Sequence, residues 1–180
     1  VIEQDITAQE LADLPIFAEL TDEERQSILE IATTMEFEPG EVVLREGKAS
    51  QNLMIVLSGK CEVLKSNDKN GAETKLAELG PRDHFGEMSF FHAAPHSATV
   101  RAAMPLKLLR VEKVDYERLI QQGSLAAHKL AYNILGELAD RLRRMDAWVT
   151  NLLARNESTS EQQSSEWSHF RDKLFNGWRG

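Results

Sequence analysis

The stretch FGEMSFFHAAPHSATV, residues 85–100, decides how this chain is read. Phe85 closes an apolar strand end, Gly86 permits a turn, Glu87 adds an acid, and the apolar run 88–91 could form a helical turn ahead of Pro95. Small polar residues then lead into another strand. Gly86, with Ala93, Ala94, Ser97 and Ala98, lets backbone N–H groups approach an anion closely, as a nest or a helix start does. Glu87 could accept from a sugar hydroxyl. The loop has the outline of a phosphate cradle, yet it contains no arginine, and His96 stands where a fixed positive charge would be expected.

On both sides of this loop the chain is written in short strands. From Glu41 to about Glu112 the runs EVVLREG, NLMIVLSG, CEVLKS, TKLAELG, SATVRAA and LKLLRVE are separated by Gly, Asn, Asp and Pro. That spacing predicts a β sandwich or barrel. Asn70-Gly71 predicts a type I′ hairpin, because both residues tolerate positive φ, so the strands around it should pair antiparallel. Toward the N-terminus, Thr7 with Glu10 and Thr21 with Glu24 are capping boxes that predict two short helices. Between them Pro15, Ile16 and Phe17 suit a segment pinned on a core. Pro39-Gly40 is expected to end the second helix.

Helical spacing returns after Val111. KVDYERLIQQGS predicts a short helix stopping near Gly123, and Ser124 to about Leu153 a long one. In the long helix Ala131, Leu135, Leu138, Leu142, Met145, Val149 and Leu152 recur in steps of 4 and 3, a heptad seam. Leu130, Ile134 and Tyr132 offer a second apolar stripe. Two stripes call for two partners, so the seam is expected to form a parallel homodimer while the other stripe packs on its own subunit. Beyond it, RNESTSEQQSSE is a polar linker. Trp167, Phe170, Leu174, Phe175 and Trp178 then fall on one face of a short amphipathic helix, which docks on its own barrel or on a protein partner in preference to a membrane. Three parts are expected: 1–123, a β-barrel with N-terminal helices; 124–155, the long dimerisation helix; and 156–180, the linker and aromatic tail.

Composition narrows the function classes. A net charge of −8, from 29 acidic against 21 basic residues, repels nucleic-acid phosphates and disfavours DNA binding. Cys61 is the only cysteine, which excludes an internal disulfide and a cysteine-rich zinc site and fits a reducing cytoplasm. Apolar runs such as LMIVL are far shorter than the roughly 20 residues that cross a bilayer, and neither a membrane span nor a signal peptide is expected. The chain begins at Val1, so a processed product or a piece of something longer is expected. No nucleophile elbow or P-loop is present, and no enzymatic activity is expected. His84, His92 and His96 raise a metal or haem site as a third class. The spacing of His92 and His96 would serve only on a helix, which Pro95 opposes, so no metal is assigned.

The stretch 85–100 resembles the phosphate-binding cassette of the cyclic-nucleotide-binding domain family, roughly F-G-E-L-A-L, a variable segment, then R-[AS]-A-[TS]-V. Phe85, Gly86, Glu87, Pro95, Ser97, Ala98, Thr99 and Val100 fit without insertion or deletion. LPIFAELTDEER resembles the family's N-terminal helical motif, and REGKASQNLMIVLSGKCEVLK its strand pair, with Gly47 and Gly59 as the glycines. The resemblance implies an eight-stranded jelly roll, mainly β with flanking helices, and likens the long helix to the dimerisation helix of catabolite-activator-like regulators. Those regulators continue into a DNA-binding domain, for which residues 156–180 leave no room, so a relative lacking its DNA reader is expected.

The same resemblance implies a ligand set. Glu87 would take the ribose 2′-hydroxyl, backbone N–H groups near Gly86, Met88 and Ala98 the phosphate oxygens, and the arginine beside Ser97 is His96. An arginine fork donates two parallel bonds and keeps its charge; an imidazole does neither. Arg82 replaces the family's glycine in LGPRDHFGE, either as a substitute charge or as a surface turn residue. The positions that touch the base fall near Met145 and Asp146. The expected function is a non-enzymatic regulatory module that senses a small ligand, cAMP or cGMP bound weakly or another anion. The alternative is a ligand-independent dimerisation or docking scaffold, in which Glu87 and His96 could pair with each other.

Overall fold

The computed structural model describes residues 6–66 and 72–155, with side chains through residue 151. Among these residues are eight strands: β1 (Ala32–Phe37), β2 (Val42–Leu44), β3 (Asn52–Ser58), β4 (Cys61–Ser66), β5 (Glu73–Leu79), β6 (His84–Phe85), β7 (Thr99–Ala102) and β8 (Leu106–Glu112). They form two antiparallel four-stranded sheets, ordered β1-β8-β3-β6 and β2-β7-β4-β5. The helices are α1 (Asp22–Leu29), α2 (Glu87–Phe91), α3 (Lys113–Gln121) and α4 (Leu125–Arg155). This is the jelly roll with flanking helices that the resemblance implied. The described residues divide into two compact units, the division falling between Ile134 and Leu135 within α4.

The sheets face each other across one apolar layer. Leu44, Cys61, Val100 and Ala102 come from one sheet, and Met54, Val56, Phe85, Leu106 and Leu108 from the other. Side chains alternate along a strand, so Leu53, Ile55, Leu109 and Val111 point to the opposite face, and they too are buried. That is why β3 and β8 read as continuous apolar runs. Helical side chains supply further buried surface: Ile16, Phe17, Ile28, Leu29, Leu130 and Ile134 are almost wholly covered. The chain crosses from one sheet to the other at Gly59, whose φ is +84° and whose missing Cβ would lie 2.1 Å from the Pro105 carbonyl oxygen. No side chain fits there.

Several expectations are met and others are revised. Thr21 caps α1 with both bonds of the box, Glu24 N–H to Thr21 Oγ1 at 3.2 Å and Thr21 N–H to Glu24 Oε2 at 2.8 Å. Thr7 and Glu10 bond each other in the same way, but the turn they open, Glu10–Asp13, is 3-10 rather than α-helical. The second helix stops at Leu29, not at Pro39-Gly40. Residues 32–37 instead form β1, pairing with β8 from Ala32↔Val111 to Phe37↔Leu106. The β-branched Thr33 and Thr34 favour a strand there, and the free edge of β8 supplies the partner. β4 and β5 pair antiparallel as expected; the Asn70-Gly71 turn lies outside the described residues, as do the linker and the aromatic tail. Tyr132, assigned to the barrel-facing stripe, is 75% exposed, whereas Leu130 and Ile134 are buried.

Candidate functional site

Gly86 begins the site. Its φ of +85° is a left-handed conformation, and a Cβ there would lie 2.4 Å from the Asn52 carbonyl oxygen, so the backbone can turn into α2 only as glycine. Glu87 opens α2 and is buried; the next residue, Met88, is 63% exposed and points away from the core. Phe90 anchors the helix, its ring packed edge-on against Phe91 at 5.0 Å and Tyr116 at 5.1 Å. The ammonium of Lys113 stands over all three rings, 5.1 Å from the Phe90 centroid, which ties α2 to the start of α3. At His92 the chain becomes extended and the helix ends.

His96 returns to the interior. Its side chain is buried with only 6% exposure, and its backbone pairs with the β2–β3 loop through His96 N–H to the Lys48 carbonyl at 2.8 Å and Gly47 N–H to the His96 carbonyl at 2.9 Å. Each ring nitrogen meets a hydroxyl: Nε2 lies 2.8 Å from Ser50 Oγ, and Nδ1 lies 2.9 Å from Ser89 Oγ. Burial holds the imidazole below the ordinary histidine range, so it is neutral at pH 7. The pairing with Glu87 that the sequence allowed is not what the ring adopts, since both nitrogens are taken.

Around this ring the cassette residues are distributed unevenly. Ser97 is exposed and Ala98 half-buried, and the Ser97 carbonyl accepts from Lys65 Nζ at 2.7 Å. Glu46 N–H donates to Thr99 Oγ1 at 3.1 Å, and its carboxylate accepts from Ser66 N–H at 2.9 Å and pairs with Lys65. The cation that bonds the cassette backbone, Lys65, is therefore already matched to a carboxylate. A cleft of about 400 Å³ beside the ring is lined by Ala49, Ser50, Gln51, Ala93, Ala94 and Pro95, none of them charged.

The remaining candidates are Arg82, Met145, Asp146, the other histidines and Cys61. Arg82 is exposed with φ +81° in the turn before β6, where Asp83 Oδ2 accepts from Gly80 N–H at 2.8 Å; its place is that of a surface turn residue. Met145 and Asp146 lie in the second unit, both exposed. His84 is buried in β6, His92 is exposed and His96 buried, and residues 92–96 are not helical. Among the described residues, no three His, Cys, Asp or Glu side chains converge as metal ligands would. Cys61 is buried, and burial, with the Asp83 charge as a smaller cause, pushes its thiol up to about 12. It is not a reactive thiol. Ser50 and Ser89, which hold the central imidazole, were not singled out by the sequence; neither lies in a motif that names a partner.

Comparison with known proteins agrees with this geometry. The cyclic nucleotide-binding domain family matches residues 34–123. The chain is 33% identical over 116 residues to the cAMP-dependent protein kinase regulatory subunit of Blastocladiella emersonii, covering 64% of this chain and 28% of that protein. It is 34% identical over 110 residues to the corresponding subunit of Yarrowia lipolytica, covering 61% of this chain and 28% of that protein. The chain thus spans little more than a quarter of the curated relatives it matches. Among solved structures, the catabolite activator protein of Thermus thermophilus superimposes with a TM-score of 0.68 at 32% identity, covering 77% of this chain and 62% of that one. Two packed sheets, a left-handed Gly86 opening a short helix on Glu87, and a family match across the strands that carry them lead to one statement: the chain belongs to the cyclic nucleotide-binding domain family.

Proposed function

We propose that this chain is a non-enzymatic regulatory module that senses a small anionic ligand in its cassette, with cAMP or cGMP binding weakened because His96 replaces the guanidinium. One observation carries the reading. The imidazole is buried, neutral and spent on two hydroxyls, so a cyclic phosphate placed there meets no fixed charge. Glu87 takes the ribose hydroxyl, the N–H groups near Gly86, Met88, Ser97 and Ala98 take phosphate oxygens, and Met145 and Asp146 are the candidate base positions by likeness to the family. The regulatory role is what the kinase subunits and the activator protein named above have in common, and it supports this assignment by likeness. We place the protein in the cytoplasm as a homodimer through α4, with the aromatic tail on its own barrel or on a protein partner, no DNA contact and no metal. No helix among the described residues is long and apolar enough to cross a membrane.

Calorimetry with cAMP and cGMP tests the reading. His96→Arg should raise affinity about 10- to 150-fold, the worth of a charge-assisted bond of about 1.5 to 3 kcal/mol. Glu87→Ala should remove binding. Protonating the ring favours an anion, so the unmodified protein should bind better at pH 5.5 than at pH 8, with a gain that begins at lower pH than an exposed histidine would show. Absence of binding at low pH and in His96→Arg alike would leave the second reading, a dimerisation scaffold. That reading is favoured by one fact: the two serines already satisfy the imidazole without any ligand.

A further inference from the structure

We infer that Ser50 and Ser89 are positioning residues whose hydroxyls clamp the His96 ring between the β2–β3 loop and α2, withdrawing it from the cleft and closing the cassette against an anion. The inference rests on the reading of the cassette as an anion site. Its frame is built from both sides. The loop holds the His96 backbone through Gly47 and Lys48, and Ser50, on the same loop, reaches Nε2 at 2.8 Å. On the other side Ser89, buried in α2, reaches Nδ1 at 2.9 Å. Gln51 adds a second tie, its side-chain N–H donating to the Ser89 backbone carbonyl at 3.3 Å while its backbone carbonyl accepts from Lys113 N–H at 3.0 Å. Loop, cassette helix and the start of α3 are fastened together around one imidazole.

The chemistry of the pair explains why hydroxyls serve. A neutral imidazole has one N–H and one lone pair, and a hydroxyl can either donate or accept, so two serines satisfy the ring in either tautomer. An imidazolium would need both hydroxyls as acceptors and would place a charge in a buried site with no carboxylate on either nitrogen. The charged groups on the packed elements are Glu87 on α2, Arg45, Glu46 and Lys48 on the loop, and Lys65 of β4 on the Ser97 carbonyl. Burial, and none of these charges, is what lowers the basicity of the ring. For the ring to meet a phosphate, at least one of the two hydroxyl bonds has to break. The clamp therefore sets part of the cost of ligand entry.

NMR of the His96 ring nitrogens and calorimetry with cAMP, on the whole chain, separate the possibilities. In Ser50→Ala the Nε2 atom, and in Ser89→Ala the Nδ1 atom, loses its hydroxyl partner, and the nitrogen chemical shift of that atom should move from its wild-type value. Affinity for cAMP at pH 7 should rise about two- to tenfold per hydroxyl removed, the worth of one neutral hydrogen bond. Ser50 is only half-buried, so Ser50→Ala keeps the test available if Ser89→Ala unfolds. An Nε2 shift unchanged in Ser50→Ala overturns the clamp. A shift that moves without any gain in cAMP affinity, in a protein where His96→Arg does gain, also overturns it, because the ring is then held without closing the site. If the shift moves and no variant binds cAMP, His96→Arg included, the hold of the serines on the ring stands and the cyclic-nucleotide reading is what fails.

Discussion

The first ten residues of α4 and the rest of that helix carry similar apolar spacing and meet opposite fates. In 125–134, Ala126, Ala127, Leu130 and Ile134 are buried. Lys129 Nζ bonds Glu24 at 2.8 Å, and Asn133 Nδ2 donates to the carbonyls of Ile16 at 3.1 Å and Ala18 at 2.7 Å. From Leu135 to Val149 no apolar side chain is buried: Leu138 and Val149 are half-buried, while Leu135 is 63% exposed, Leu142 52%, Met145 52% and Trp148 64%. The difference separates two tasks within one helix. The first three turns complete a barrel, while the remainder presents a stripe that needs a second surface, because an amphipathic helix gains most of its stability from the packing of its apolar face.

The largest effect that could break this comparison is on the seam. Leu138→Lys with Leu142→Lys should convert a dimer to a monomer, each buried lysine costing about 3 to 5 kcal/mol, as read by sedimentation. A wild-type chain that sediments as a monomer at tens of micromolar would show that the exposed stripe has another partner. Next in size is the buried half. Leu130→Ala or Ile134→Ala should each lower the unfolding free energy by about 2 to 5 kcal/mol in urea, while Leu135→Ala, made in the monomeric lysine background, should change it by less than about 1 kcal/mol. Similar losses at all three positions would erase the distinction between the halves.

A smaller effect sharpens it through pH. The bond from Lys129, followed by the backbone bond from Thr21, holds the Glu24 carboxyl below the ordinary carboxylate range. A group depressed in the folded state binds its proton more readily when unfolded. Its contribution is therefore present above the ordinary glutamate range and is lost as the pH falls through the folded value. Glu24→Gln and Lys129→Met should each reduce stability at pH 7, by about 1 kcal/mol for a partly exposed pair, and the difference from wild type should shrink on acidification. Equal denaturant midpoints at pH 7 would mean that this pair does not fasten α4 to the N-terminal helices.

How much was legible depends on the range of the interactions. Thr21 and Glu24 sit three residues apart and form their capping box with no help from the rest of the fold. The apolar runs of β3 and β8 announce strands because both faces of those strands are buried. β1 reads as the end of a helix because its true state depends on β8, far along the chain. Tyr132 groups with Leu130 and Ile134 by its apolar ring, but two residues turn a helix by about 200°, so the helical period itself points it away from the barrel. In the site, Gly86 and Glu87 stand out from their local pattern, whereas Ser50 and Ser89 do not, since no motif ties a serine in KASQN to a histidine 46 residues away.

The sequence by itself therefore determined the elements whose cause is local: capping, the turn at Gly86, the strand runs, and the absence of a fixed cation in the cassette. Those arise from sterics and hydrogen bonds that reach only a few residues. What the His96 ring does was decided by tertiary structure alone. Two sheets, a loop and a short helix had to come together before its nitrogens met Ser50 and Ser89, and before burial made neutrality the stable state of the ring.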